Sequence, residues 1–180
     1  MLENRVTSLP ETVIRFFSFF TILTNTLVAI YFTLVSIAKN QESKPINAPG
    51  ILTAITVYII IVGLVYQLVL RQVWDPQGLQ MIVDELLHTV IPLLVIIFWS
   101  IYERTKSINY SQIVKWAIYP LTYLLYVLTL GSFSNFYPYP FIDVATIGMT
   151  KTLLNSTVLL LIFLMISAFL LMVGKSIIKR

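Results

Sequence analysis

With 58% of its 180 residues hydrophobic and 11% charged, the chain is too apolar to hide in one water-soluble core. Its mean hydropathy of +0.87 fits an all-α polytopic membrane helix bundle, one integral domain over residues 1–180. The absence of cysteine excludes disulfides, thiolate metal sites and a cysteine nucleophile, and a single histidine gives zinc no ligand set, so no metal or other cofactor is expected.

Five stretches are long enough to cross a bilayer, which takes about 20 residues as a helix. The first, Val13–Ala38, follows Ser8-Leu9-Pro10-Glu11, a helix start with proline and an acid in the first turn. It holds Thr21, Thr24 and Asn25, which share a helix face with Ser18 at its edge. Such a patch also serves to bond carbonyls one turn back or to tie helices together. A polar, turn-rich loop, Lys39–Gly50, leads to the second span, Ile51–Val73, and Trp74-Asp75-Pro76-Gln77-Gly78 forms a tight turn after it.

The third span, Met81–Tyr102, carries the chain's one histidine, His88, at membrane depth. An ionisable ring there is costly and usually has a partner and a task. Asp84 and Glu85, one turn earlier, are each placed to fix its tautomer, leaving the other ring nitrogen as a base. Pro92 removes the backbone bond to the His88 carbonyl, so a kink is expected. The fourth span is Ile113–Leu130, with Gly131 at its terminus, and Ser132–Tyr139 is a loop. In Tyr137-Pro138-Tyr139-Pro140-Phe141-Ile142-Asp143 the prolines favour extended backbone and the tyrosines suit a membrane interface. Asp143 is placed either to cap the last span, Thr150–Val173, or to face His88.

The net charge of +4 is spread over loops and the C-terminus, a topological pattern rather than a nucleic-acid surface. With the C-terminus cytoplasmic, eight of the twelve basic residues lie inside, which places the N-terminus of the chain outside. Thr21, His88 and the segment after Gly131 then converge on the outer leaflet. A threonine hydroxyl is a poor nucleophile without a base, and Thr21 with His88 makes such a pair if the first and third spans pack together.

Phe20-Thr21-Ile22-Leu23-Thr24-Asn25, Leu87-His88-Thr89-Val90-Ile91-Pro92 and Tyr139-Pro140-Phe141-Ile142-Asp143, in this order, resemble the androgen-induced-protein family and its bacterial and fungal relatives. The likeness is patchy over residues 16 to 145, and the His-Thr-Val-x-Pro and Tyr-Pro-Phe stretches are its specific parts. It implies a multi-pass hydrolase of fatty acid esters of hydroxy fatty acids, with a threonine nucleophile and a histidine. By motif these are Thr21, with Thr24 as the alternative, and His88. Family members carry a further hydrophobic helix before the threonine helix, six spans in all, whereas only twelve residues precede Val13 here. The expectation is a chain either started late or shortened.

The sequence thus predicts a lipid-ester hydrolase with Thr21 and His88 catalytic and Asp84 or Glu85 orienting the imidazole. Asn25, Thr24 or a backbone N–H would stabilise the oxyanion. The substrate, a lipid or fatty-acyl ester reached from the membrane, is expected against Phe17, Phe20, Phe98, Tyr139, Phe141 and Asp143. The competing reading is a non-enzymatic lipid-binding or transport protein. Transport predicts helices broken at matching positions, which the sequence does not signal.

Overall fold

Apolar helices with few charges bury their backbone polarity within each span, so a bundle is the economical fold in lipid. The computed structural model describes residues 8–37, 48–103 and 107–177. The predicted loop from Lys39, as far as Asn47, lies outside the described residues. So do Arg5, Lys44, Arg104, Lys106, Lys179 and Arg180 of the basic residues used for orientation. Among the described residues there is no strand, and five helical segments are long and apolar enough to span a membrane: Phe20–Ile37, Ile51–Gln72, Leu79–Tyr102, Gln112–Ser134 and Met149–Ser176. That makes the chain an integral, multi-pass membrane protein of helical architecture.

The centre of the bundle is α3 (Ile51–Leu68), prolonged by a 3₁₀ turn at Leu70–Gln72. It packs against α2 (Phe20–Ile37), α5 (Ile91–Tyr102) and α9 (Met149–Ile177). Small and β-branched residues such as Thr53, Ala54, Thr56, Val57, Ile59, Val62 and Gly63 let its neighbours approach, and all are buried. The outer helices leave Leu93, Leu94, Ile97, Leu125, Leu154 and Met165 exposed, as a lipid-facing surface requires.

Two spans depart from regular helix, the first where a continuous helix is expected and the third next to Pro92, where a kink is expected. The first is broken: α1 (Leu9–Phe17) ends, Ser18 and Phe19 intervene, and α2 restarts at Phe20. The third consists of α4 (Leu79–Glu85), a π-turn over Leu86–Val90, and α5. Pro92 explains the π-turn. Its ring crowds the carbonyl four residues back, and widening the turn relieves the clash. The Ile91 N–H therefore bonds the Leu86 carbonyl, five residues back. The next carbonyl, of Leu87, falls opposite Pro92, which has no N–H.

Gly63 of α3 packs against this turn. A Cβ at position 63 would lie 3.0 Å from the His88 carbonyl oxygen and 3.6 Å from the Pro92 ring. Gly63→Val is therefore expected to push α3 and the π-turn apart and to cost about 1–3 kcal/mol. Unfolding of the variant in detergent checks this, and unchanged stability would refute the close fit.

At the other end of the third span the chain passes through α6 (Gln112–Trp116) into α7 (Ile118–Ser134), so the fourth span runs past the expected Leu130 and takes in Ser132, Phe133 and Ser134 of the expected loop. Asn135 ends α7 at φ 52, a left-handed conformation that asparagine tolerates. Gly131 is thus not the helix terminus: it lies within α7 and makes room for the Tyr137 ring, into which a Cβ would project. A 3₁₀ turn (Pro140–Ile142) and α8 (Val144–Ile147) lead to α9. Asp143 caps α8, accepting from the Ala145 and Thr146 N–H groups and the Thr146 hydroxyl at 3.0, 3.2 and 2.7 Å. It does not face His88, because the free N–H groups of that short helix engage it.

Candidate active site

Thr21 is the second residue of α2, so its N–H has no partner within the helix. The Tyr139 hydroxyl supplies one, accepting from it at 3.2 Å. The break at Ser18 and Phe19 thus puts a helix start, with Thr21 buried at it, inside the bundle. The Ser18 carbonyl at the break is also satisfied, by the Tyr123 hydroxyl at 2.9 Å. Irregular backbone in a membrane survives only where protein supplies such partners.

His88 sits in the π-turn, nine residues into its span from Leu79, or about 14 Å along the helix. Its Nε2 lies 3.3 Å from Thr21 Oγ1, and its Nδ1 lies 2.8 Å from the Asp84 backbone carbonyl. A carbonyl can only accept, so Nδ1 carries the proton and Nε2 of the neutral ring presents its lone pair to the Thr21 hydroxyl. Oγ1 in turn lies 3.3 Å from the Tyr139 hydroxyl. One direction satisfies every group: Tyr139 O–H donates to Thr21 Oγ1, Thr21 O–H to Nε2, and Nδ1–H to the Asp84 carbonyl. The Tyr66 ring stacks on the imidazole, centroids 4.0 Å apart and planes within 12°, and fixes its plane.

The supporting residues divide unlike the expectation that either carboxylate serves. Glu85 turns away: it pairs with Arg71 at 2.5 Å and accepts from Thr89 at 2.8 Å. Asp84 stays near the ring, with Oδ1 3.8 Å from Nδ1, and Trp74 Nε1 holds its Oδ2 at 2.7 Å. Trp74 is thus more than the interfacial anchor its turn suggests. Because the acceptor at hydrogen-bond distance is the Asp84 backbone, Asp84→Asn is expected to slow any reaction at this pair by no more than about tenfold. Ser-His-Asp triads lose about 10⁴ when the orienting carboxylate becomes an amide. Steady-state turnover of the variant separates the two cases.

Asn25 binds α2 to the π-turn, its Nδ2 donating to the Thr21 carbonyl at 2.9 Å and to the Leu87 carbonyl at 3.4 Å. The second bond serves the carbonyl that Pro92 leaves without a ladder partner. Among the described residues, the buried Asn25 Oδ1 has no hydrogen-bond partner. With both donor contacts on carbonyls, Asn25 is a tether rather than an oxyanion donor. Thr24 points elsewhere: its hydroxyl meets Tyr119 of α7 at 3.2 Å, away from His88.

A cavity of about 110 Å³ opens beside Thr21 between α2, α3, α7 and α9. Thr21, Tyr139, Phe20 and Phe141 form one part of its wall, and Ile61, Val65, Leu124, Leu159 and Phe163 extend it as an apolar slot. His88 is not in the wall, so the imidazole approaches Thr21 from behind. Of the aromatics expected to bed a lipid chain, Phe20 and Phe141 line this slot. Phe17 is 44% exposed on α1, and Phe98 packs on Phe32 and Tyr102. Tyr139 is buried rather than interfacial, stacked on Phe141 with centroids 5.2 Å apart. That burial pushes its phenol above the ordinary tyrosine value, so it stays protonated.

Sequence reasoning missed the ring of Tyr66 on His88, the Trp74 bond to Asp84 and the Tyr123 bond at the break. None of the three has a helical spacing to betray it. No protein-family model, curated protein or solved structure matches the chain. Fold and geometry define its class: a multi-pass helical membrane protein that holds a buried threonine–histidine pair beside an apolar cavity.

Proposed function

We propose that the protein is an intramembrane hydrolase of fatty-acyl esters, with Thr21 as nucleophile and His88 as general base. The observation that carries this is the 3.3 Å approach of Thr21 Oγ1 to His88 Nε2, with the other ring nitrogen committed to a carbonyl. In this reading Thr21 Oγ attacks the acyl carbon and its proton passes to Nε2. The bond to the leaving alcohol breaks, and that alcohol takes the proton from Nε2. Water then attacks the acyl-threonine, gives a proton to Nε2, and the returning Thr21 hydroxyl recovers it. The lining of the slot is apolar, as an acyl chain requires, and its 110 Å³ takes part of a long one. The resemblance to the androgen-induced-protein family narrows the class to fatty acid esters of hydroxy fatty acids. The lysine and arginine distribution favours an orientation with the N-terminus of this chain outside and the C-terminus cytoplasmic.

The test is hydrolysis of long-chain acyl esters by the detergent-purified protein, with mass spectrometry of the Thr21 peptide after a rapid quench. Fatty-acid release with an acyl adduct on that peptide is the expected result. A second reading, lipid binding or transport, is favoured by one feature, the helix broken at Ser18 and Phe19 within the bundle. Stoichiometric lipid retention with neither release nor adduct would decide for it.

A further inference from the structure

Resting on that reading, we propose that Tyr139 is a third catalytic residue, whose hydroxyl donates to the oxyanion that forms when Thr21 attacks the acyl carbonyl. Tyr139 and Thr21 share the cavity wall, whereas His88 lies behind Thr21. A substrate carbonyl arriving through the cavity therefore meets the nucleophile from the Tyr139 side. The Tyr139 hydroxyl is 3.3 Å from Oγ1. An oxyanion sits about one bond beyond the carbon that joins Oγ1, which brings it within hydrogen-bond reach of a donor so placed.

The same hydroxyl accepts the Thr21 N–H at 3.2 Å, so its O–H is oriented toward Oγ1 and the cavity rather than toward the backbone. As the tetrahedral centre forms, that O–H transfers its hydrogen bond from the threonine oxygen to the more basic oxyanion. No proton changes owner in this step: the proton of Thr21 goes to His88 Nε2, and Tyr139 remains a phenol. The ring is held by stacking on Phe141 and by an edge contact with Phe19, centroids 5.2 and 5.7 Å away. The donor is thus in place before substrate arrives, as electrostatic stabilisation requires. The other candidates are already engaged, Thr24 with Tyr119 and Asn25 with two carbonyls.

Tyr139→Phe keeps the ring and removes the donor. It is expected to lower kcat about a hundredfold or more with KM little changed. A long-chain alkyl trifluoromethyl ketone, which forms a hemiketal oxyanion on the nucleophile, gives an independent readout by ¹⁹F resonance. Wild type should form the adduct, Tyr139→Phe should bind it about a hundredfold more weakly, and Thr21→Ala should form none. The thermal midpoint of Tyr139→Phe in detergent tests its fold. If it fails to fold, 3,5-difluorotyrosine at position 139 provides a stronger donor of the same shape and should tighten the adduct. Wild-type kcat and adduct affinity in Tyr139→Phe, or no tightening with difluorotyrosine, would overturn the role of Tyr139 while leaving the threonine–histidine reading intact. Neither hydrolysis nor adduct in the wild type would overturn both.

Discussion

Removing the imidazole in His88→Ala is expected to lower ester hydrolysis by about a thousandfold or more, and Thr21→Ala should do the same. Each removes one half of a pair set 3.3 Å apart, and the other aliphatic hydroxyl in the cavity wall, of Ser156, is bonded to the Thr152 carbonyl at 2.8 Å. Because the two act as a unit, the double variant should be no slower than either single one. Thr21→Ser keeps the hydroxyl and should retain measurable turnover. Thr24→Ala should stay near wild type, since its hydroxyl bonds Tyr119 rather than His88. Initial rates on one long-chain ester settle the series. Full activity in Thr21→Ala with loss in Thr24→Ala would move the nucleophile by one turn, and full activity in both would end the threonine mechanism.

The second large effect lies at the opposite end of the bundle and concerns stability. Glu103 follows α5, is 7% exposed, and reaches the first turn of α3. Its Oε2 accepts from the Thr53 N–H at 2.9 Å and the Thr53 hydroxyl at 3.0 Å, and Trp99 Nε1 donates to that same hydroxyl oxygen at 2.9 Å. A carboxylate there satisfies a free helix N–H and complements the positive end of the helix dipole. Glu103→Ala leaves a buried N–H without its acceptor and should cost about 2–3 kcal/mol. Glu103→Gln, which keeps an acceptor oxygen, should cost less. Detergent unfolding of both variants checks the order, and equal stability of Glu103→Ala and wild type would remove the carboxylate from the account. The threonine–histidine pair lies about 20 Å further along α3, where Tyr66 stacks on His88, and should be untouched in protein that remains folded.

The spans were legible because composition dominates them: apolar runs of membrane length leave little choice of secondary structure. Thr21 and His88 were legible for a related reason, since polar groups in such runs are few and need each other. Thr24 was harder to separate from Thr21, because three residues along a helix turn the side chain only about 60° from alignment. That rotation is enough to exchange His88 for Tyr119. Pro92 announced a distortion but not its form, since the π-turn also depends on Gly63 allowing α3 close to the displaced carbonyl. The break at Ser18 and Phe19 left no mark, as neither residue opposes a helix strongly. It exists because Tyr123 and Tyr139, more than a hundred residues later, satisfy the backbone it frees.

That dependence gives membrane insertion an order. The first three spans bring Thr21 and His88 into the bilayer, but the partners of the Ser18 carbonyl and the Thr21 N–H belong to α7 and the segment after it. Until those have entered, the broken backbone is cheaper as continuous helix, with each free group bonded to the next turn. A chain cut after the third span is therefore expected to carry an unbroken first helix, the break at Ser18 and Phe19 forming once α7 and Tyr139 have docked.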